Sequence, residues 1–154
     1  MKPILPAIAA ICLFPTFAMA DQVDRLAAAT DILTGKLTAF YVSRVPELAD
    51  AMPNFTVDAE MRAALGCTLD TYTAEIGPNA TEAYVASVEA EAAALEITSL
   101  SDMGNMLGDI DEALALRAMQ ECGQMDISMR RMQESGLLQA LQKPGVMEAL
   151  LAGE

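Results

Sequence analysis

Apolar and small side chains in this chain recur three and four residues apart and almost never alternate, and that spacing restricts the fold to helices. From Val23, the positions Leu26, Thr30, Leu33, Leu37 and Phe40 fall on one helical face. Asp21 suits the start of this segment as a cap or dipole partner, and Pro46 should stop it, because the residue before a proline avoids the helical region. Glu47 to Phe55, with Pro53 and Asn54, reads as a connector. Thr56 is the expected N-cap of a second helix, whose stripe of Met61, Leu65, Leu69, Tyr72 and Ile76 runs to a stop at Gly77-Pro78. Asn79 and Glu82 form an N-x-x-E capping pattern for a third helix reaching about Ile97. In it Tyr84, Val88, Ala92 and Leu95 should face inward, leaving Glu82, Glu89, Glu91 and Glu96 to water.

Thr98 to Gly108 is rich in Ser, Gly and Asn and reads as a turn region with at most a short helix near Met103 and Leu107. Asp109 and Glu112 repeat the capping pattern and open a long helix to about Glu134, with Gly123 as a candidate break. Its expected buried stripe is Leu116, Met119, Cys122, Met125, Met129 and Met132. Ser135-Gly136 ends it, and two short pieces follow, Leu137 to Gln142 and Val146 to Ala152, divided by Lys143-Pro144-Gly145. Short connections favour an all-α, antiparallel bundle of about four to six helices.

The first 20 residues are expected not to belong to that bundle. Lys2 supplies a positive end, Ile4 to Phe17 an apolar run, and Ala18-Met19-Ala20 an A-x-A site ahead of Asp21. Cleavage between Ala20 and Asp21 would leave residues 21–154 as a single helical domain in the bacterial periplasm or outside the cell. The apolar run is too short, and too interrupted by Pro6 and Pro15, to serve as a lasting membrane anchor. Ile11 ahead of Cys12 does not suit a lipoprotein signal.

Two cysteines remain beyond the leader, and in an oxidising compartment Cys67 and Cys122 are expected to pair. In this fold the bond would tie the second helix to the long one near the C-terminus. A spacing so unlike C-x-x-C gives no support to thioredoxin-type redox chemistry.

Charge narrows the partners. Once Lys2 leaves with the leader, eight basic side chains face 22 acidic ones, a net of −14. Such a surface repels phosphate backbones and anionic lipids, so nucleic-acid binding is not expected. Solubility of an exported protein is the plainer use of this charge; steering of a basic partner is the other.

Chemistry is narrowed further by composition. Histidine is absent, which removes the commonest general base and metal ligand. Asp109, Asp111 and Glu112 crowd one helix start, and Glu89 and Glu91 another segment, but capping and solvation explain these carboxylates more simply than a small carboxylate-dependent enzyme does. Asp102, Asn105, Asp109, Asp111 and Glu112 lack the alternate-position spacing of an EF-hand loop. No catalytic residue, cofactor or metal site is assigned.

Methionine has three candidate uses. Met119, Met125, Met129 and Met132 share a face, and Met103 with Met106 form an M-x-x-M step, so thioether binding of Cu(I) is one. Core filling explains the same spacing more economically. The third use is an adaptable apolar surface for an unknown protein partner or apolar segment, with Met125, Met129, Met132, Leu137, Leu138, Leu141, Met147 and Leu150 as the candidate contacts. The proline-separated amphipathic pieces between Met132 and Leu151 resemble STI1-type chaperone-binding modules, which cradle apolar helical segments, although Lys143 stands where that pattern usually has Asn or Asp. The likeness covers this tail alone and assigns no family; a self-packed helical hairpin is the simpler reading. A non-enzymatic exported binding protein is the leading expectation, with copper handling as the alternative.

Overall fold

A computed structural model describes residues 16–105 and 110–152. Among them the chain is helical throughout, with no strand: α1 (Thr16–Arg44), α2 (Ala59–Ile76), α3 (Pro78–Ala94), α4 (Glu112–Glu121), α5 (Gln124–Glu134), α6 (Leu137–Leu141) and α7 (Val146–Leu151), with 3-10 segments at Pro46–Ala51 and Leu100–Asn105. No described helix is long and apolar enough to cross a membrane.

Contacts between helices fix their directions. On α2, Gly66 faces Val23 while the Val57 amide, just ahead of the helix, donates to the Asp31 carboxylate at 2.8 Å, so α2 runs opposite to α1. α3 turns back from α2 across the single residue Gly77, whose φ of 85° suits glycine, and Pro78 starts the new helix. That makes α3 parallel to α1. The result is a three-helix, up-down-up body, and α4 and α5 lie along another side of α2, antiparallel to it.

The main core draws Leu26, Ala29 and Leu33 from α1, Met61, Leu65, Leu69 and Tyr72 from α2, and Val85, Val88 and Ala92 from α3. The rings of Tyr72 and Tyr84 meet edge to face at 5.1 Å. Small buried residues such as Ala92, expected to face inward, and Ala118 let backbones approach closely. A second cluster joins Phe40, Val45 and Leu48 to Leu137, Ala140 and Leu150, packing the C-terminal pieces against the end of α1 and the first 3-10 segment.

Several local expectations are corrected by this packing. α1 passes without interruption through Ala20 and Asp21, so Asp21 lies within a helix rather than at its cap. Asp58, not Thr56, caps α2 by accepting from the Met61 amide at 3.0 Å. Ile76, the last residue of α2, is exposed rather than part of the buried stripe. α3 ends at Ala94, and its inward face carries Thr81 and Val85 as well as Val88 and Ala92. Leu48 lies in the segment read as a mere connector, yet it is 1% exposed.

Glu82 and Glu89 were expected in water and are instead paired. Arg25 grips Glu89 through two oxygens and Glu82 through a third contact at 2.6 Å, while Gln22 donates to the other Glu82 oxygen at 2.7 Å. The Arg25 guanidinium holds both carboxyls below the usual glutamate range. Farther along, the Lys36 ammonium donates to the carbonyls of Ala92 and Leu95, both at 2.7 Å, and so caps the end of α3 from a different helix.

The expected long helix is broken in two. Cys122 closes α4 by donating its amide to Ala118 O, Gly123 follows with φ of 76°, and α5 starts afresh at Gln124. The cap of α4 is Asp111, which accepts from the Leu114 amide at 2.9 Å; the Asp109 part of the capping expectation falls outside the described residues. The disulfide between Cys67 and Cys122 is formed, with Cα atoms 5.7 Å apart, and it joins α2 to the junction between α4 and α5.

Candidate functional site

Among the described residues, large apolar side chains are exposed on α1 (Ile32), at the end of α2 (Ile76), on α7 (Met147 and Leu151) and, three together, on the α4–α5 limb, which is fastened to α2. Its attachment is built residue by residue along α2. At one end Arg117 donates to Glu75 at 2.9 Å. At the centre sits the Cys67–Cys122 bond, and beside it Gln124 donates to the buried Thr68 hydroxyl. At the far end Arg130 pairs with Glu60, and Arg131 reaches Asp58 at 2.6 Å and the Thr56 carbonyl at 3.0 Å. The Asp58 carboxyl is held low first by the Met61 amide and then by Arg131; Arg130 holds Glu60 low.

These contacts set the rotation of the limb. Leu114, Ala115, Ala118, Gln124 and Ile127 face α2 and the core. Leu116, Met125 and Met129 therefore point away, at 45%, 43% and 42% exposure. This reverses the expected buried stripe for those three residues. The inward positions are Leu114, Ala115 and Ala118 on α4 and Gln124 and Ile127 on α5, so Leu116, Met125 and Met129 fall on the outward side of their segments. On α5 itself Met125, Met129 and Met132 do lie on a common stripe, as steps of four and three require.

The candidate contact residues divide into three groups. Met125, Met129 and Met147 are exposed. Leu137 and Leu150 are buried in the second core, at 3% and 1% exposure, and are removed from the candidate surface. Met132 and Leu141 are half-buried against that core, and Leu138 is half-buried. The tail packs against its own chain, with α6 and α7 on Phe40, Val45 and Leu48, and an open groove of about 510 Å³ remains between the first 3-10 segment and the start of α7, lined by Arg44, Pro46, Glu47, Lys143 and Val146.

The methionine set considered for copper is divided as well. Met119 turns inward beside Leu26, Tyr72, Tyr84 and Gln124, lining a small interior space of about 120 Å³. Met125 and Met129 face outward, and the side chains of Met103 and Met106 lie outside the described residues. Among the described residues no three His, Cys, Asp or Glu side chains cluster as metal ligands would. Asp102 is engaged locally, accepting from the amides of Thr98 and Ser99, both at 2.8 Å. Asp111 serves as the cap of α4, and Glu112 is exposed in its first turn.

A feature that sequence reasoning missed is where the cations go. Arg25 and Lys36 bind α3, Arg62 binds Asp24, Arg117 and Arg130 bind α2, Arg131 binds the start of α2, and Arg44 donates to the Thr98 and Ala152 carbonyls. Seven of the eight basic residues after Lys2 therefore link one part of the fold to another. Only composition hinted at this: with cations so scarce, each has an acidic or carbonyl partner within reach. The outward charge is correspondingly dominated by carboxylates.

Comparison with protein-family models, with curated proteins and with solved structures finds no match.

Proposed function

We propose that this protein acts by binding, not by catalysis: an exported helical module that engages a partner protein or apolar segment through the outward face of α5, in the periplasm or outside the cell. The observation that carries this reading is the exposure of Met125 and Met129 one turn apart on a helix otherwise anchored along α2. Flexible thioether side chains adapt to irregular apolar surfaces, and they suit a contact face better than a fixed pocket for one small molecule. The Cys67–Cys122 bond is consistent with an oxidising compartment, as is the leader-like composition of residues 1–20. A rigidly held face also lowers the ordering cost of association, since the binding helix is already formed and fixed.

Site-specific crosslinking tests the reading. A photoreactive phenylalanine analogue placed at position 129 should, in cells exporting the protein, give an adduct of defined mass that is lost when Met125→Asp is added. The same analogue at the exposed Gln139 on α6 should not give that adduct. Identical products from both positions, or monomer alone where a known complex is captured in parallel, would overturn it.

A further inference from the structure

We propose that the interior space between the three-helix body and the α4–α5 limb is a binding site for a small uncharged aromatic molecule, a single six-membered ring with at most one small substituent. It is a second site, separate from the outward face of α5. The space measures about 120 Å³ and is walled by side chains from each of α1 to α5, among them Leu26, Leu65, Val88, Met119 and Gln124. At the packing density of protein interiors, about 0.74, it admits about 90 Å³ of ligand atoms, which is the bulk of one such ring. Apolar cavities of comparable size in proteins take up benzene.

Charge in the wall decides the first property of the ligand. Although 20% of the chain is charged, no charged side chain lines this space. An ion placed there would lose its hydration with no partner to replace it, so an uncharged molecule is required. Burial also raises Tyr72 and Tyr84 above the ordinary tyrosine range, which keeps both phenols neutral.

Water is the competing occupant, and the wall offers it little. About four waters would be needed to fill the space, each with two to four polar partners. Yet Thr30 donates its hydroxyl to the Leu26 carbonyl at 2.8 Å, and Gln124 donates to the Thr68 hydroxyl. These polar groups are thus engaged with the protein itself, whereas Leu26, Leu33, Leu65 and Val88 present hydrocarbon. The remaining wall favours an aromatic ring. Tyr72 and Tyr84 meet edge to face at 5.1 Å, a packing that a third ring can extend, and the Met119 thioether suits a ring edge. Met119 is half-buried and the most flexible side chain of the wall, so it can shift to admit the ligand and then pack upon it.

Toluene and N-methylpyridinium test this, because they share a shape and differ in charge. The acidic surface attracts the cation, so attraction at large and the interior site give opposite orders of affinity. In the intact oxidised protein with carbon-13 methionine methyls, toluene should shift the Met119 methyl saturably and leave those of Met125 and Met129 in place. It should bind at least about tenfold more tightly than N-methylpyridinium. Naphthalene, too large for the space, should leave Met119 unmoved. Val88→Phe, which fills the space from α3, should abolish the toluene shift; should that variant misfold, the Met119 response of the parent protein decides alone. No saturable toluene shift at Met119 overturns the site. Equal or tighter binding of the cation overturns it, as does a toluene shift that survives in folded Val88→Phe or a naphthalene shift equal to that of toluene. A response at Met125 and Met129 with Met119 unmoved also overturns the inference and places the ligand on the outward face of α5.

Discussion

Cys67→Ser with Cys122→Ser should cost the fold about 4 kcal/mol, the largest loss expected from any exposed or half-exposed pair in the molecule. The bond closes a loop across a separation of 55 residues, and removing it returns that closure entropy to the unfolded chain. Total stabilities of domains this size are about 5–15 kcal/mol, so the loss is a large fraction of the whole. In urea, with a slope of about 2 kcal/mol per molar, the midpoint should fall by about 2 M.

The limb itself should respond more than the body. α4 and α5 are held to α2 by the disulfide, by Leu114, Ala118 and Ile127, and by exposed ion pairs such as Arg117–Glu75. Exposed pairs contribute little individually, typically less than about 1 kcal/mol. Amide exchange in α4 and α5 should therefore accelerate in the double variant, while α2 and α3 retain protection around Leu69 and Val85. An unchanged urea midpoint would show that the apolar contacts alone hold the limb.

Leu150→Ala is the second substitution with a large expected effect, about 2–5 kcal/mol. α7 spans only Val146–Leu151, far too short to persist as an isolated helix, so its order depends on what it packs against. Leu150, 1% exposed, is its anchor in the cluster with Leu48 and Leu137. The loss should be read locally, as rapid amide exchange across α7 and a weakened α6. Met147→Ala on the exposed side of the same helix should stay within about 0.5 kcal/mol of the parent. If both variants exchange alike, the tail is not docked on the first 3-10 segment.

These two predictions fall on residues whose roles were unequally legible in the sequence. The pairing of Cys67 and Cys122 was expected from an even cysteine count and an expected oxidising compartment, and the helical periodicity, the Gly77-Pro78 stop and the short final pieces all follow from local chemistry that acts within a few residues. The burial of Leu150 and Leu48 did not follow. Each is a leucine in a short, turn-rich segment, and only a neighbour distant in sequence decides whether such a residue is anchored or exposed.

The rotation of α5 illustrates the same limit. Periodicity identifies a stripe but not the direction it faces, so by spacing alone Met125 and Met129 fit a buried stripe as well as a contact surface. Four things turn them outward: a left-handed glycine at 123, a disulfide one residue before it, and two arginines that reach carboxylates on α2. None of these is local to the methionines. Glu82 and Glu89 show the converse, charged residues that look solvated until Arg25 on α1 is brought beside them. The candidate surface was thus half readable: the helix and its methionines could be named from sequence, whereas their exposure, and the burial of Leu137 and Leu150, required the tertiary contacts.

Every functional consequence drawn for α5 depends on which way its methionines point. Carbon-13 labelling of the methionine methyl groups, with a soluble paramagnetic agent added to the oxidised protein, measures that directly. Met125 and Met129 should broaden steeply with agent concentration, while Met61, 7% exposed in the main core, stays sharp. Methyl signals of Met125 and Met129 as well protected as that of Met61 would contradict the outward face and remove the basis for a binding surface on α5.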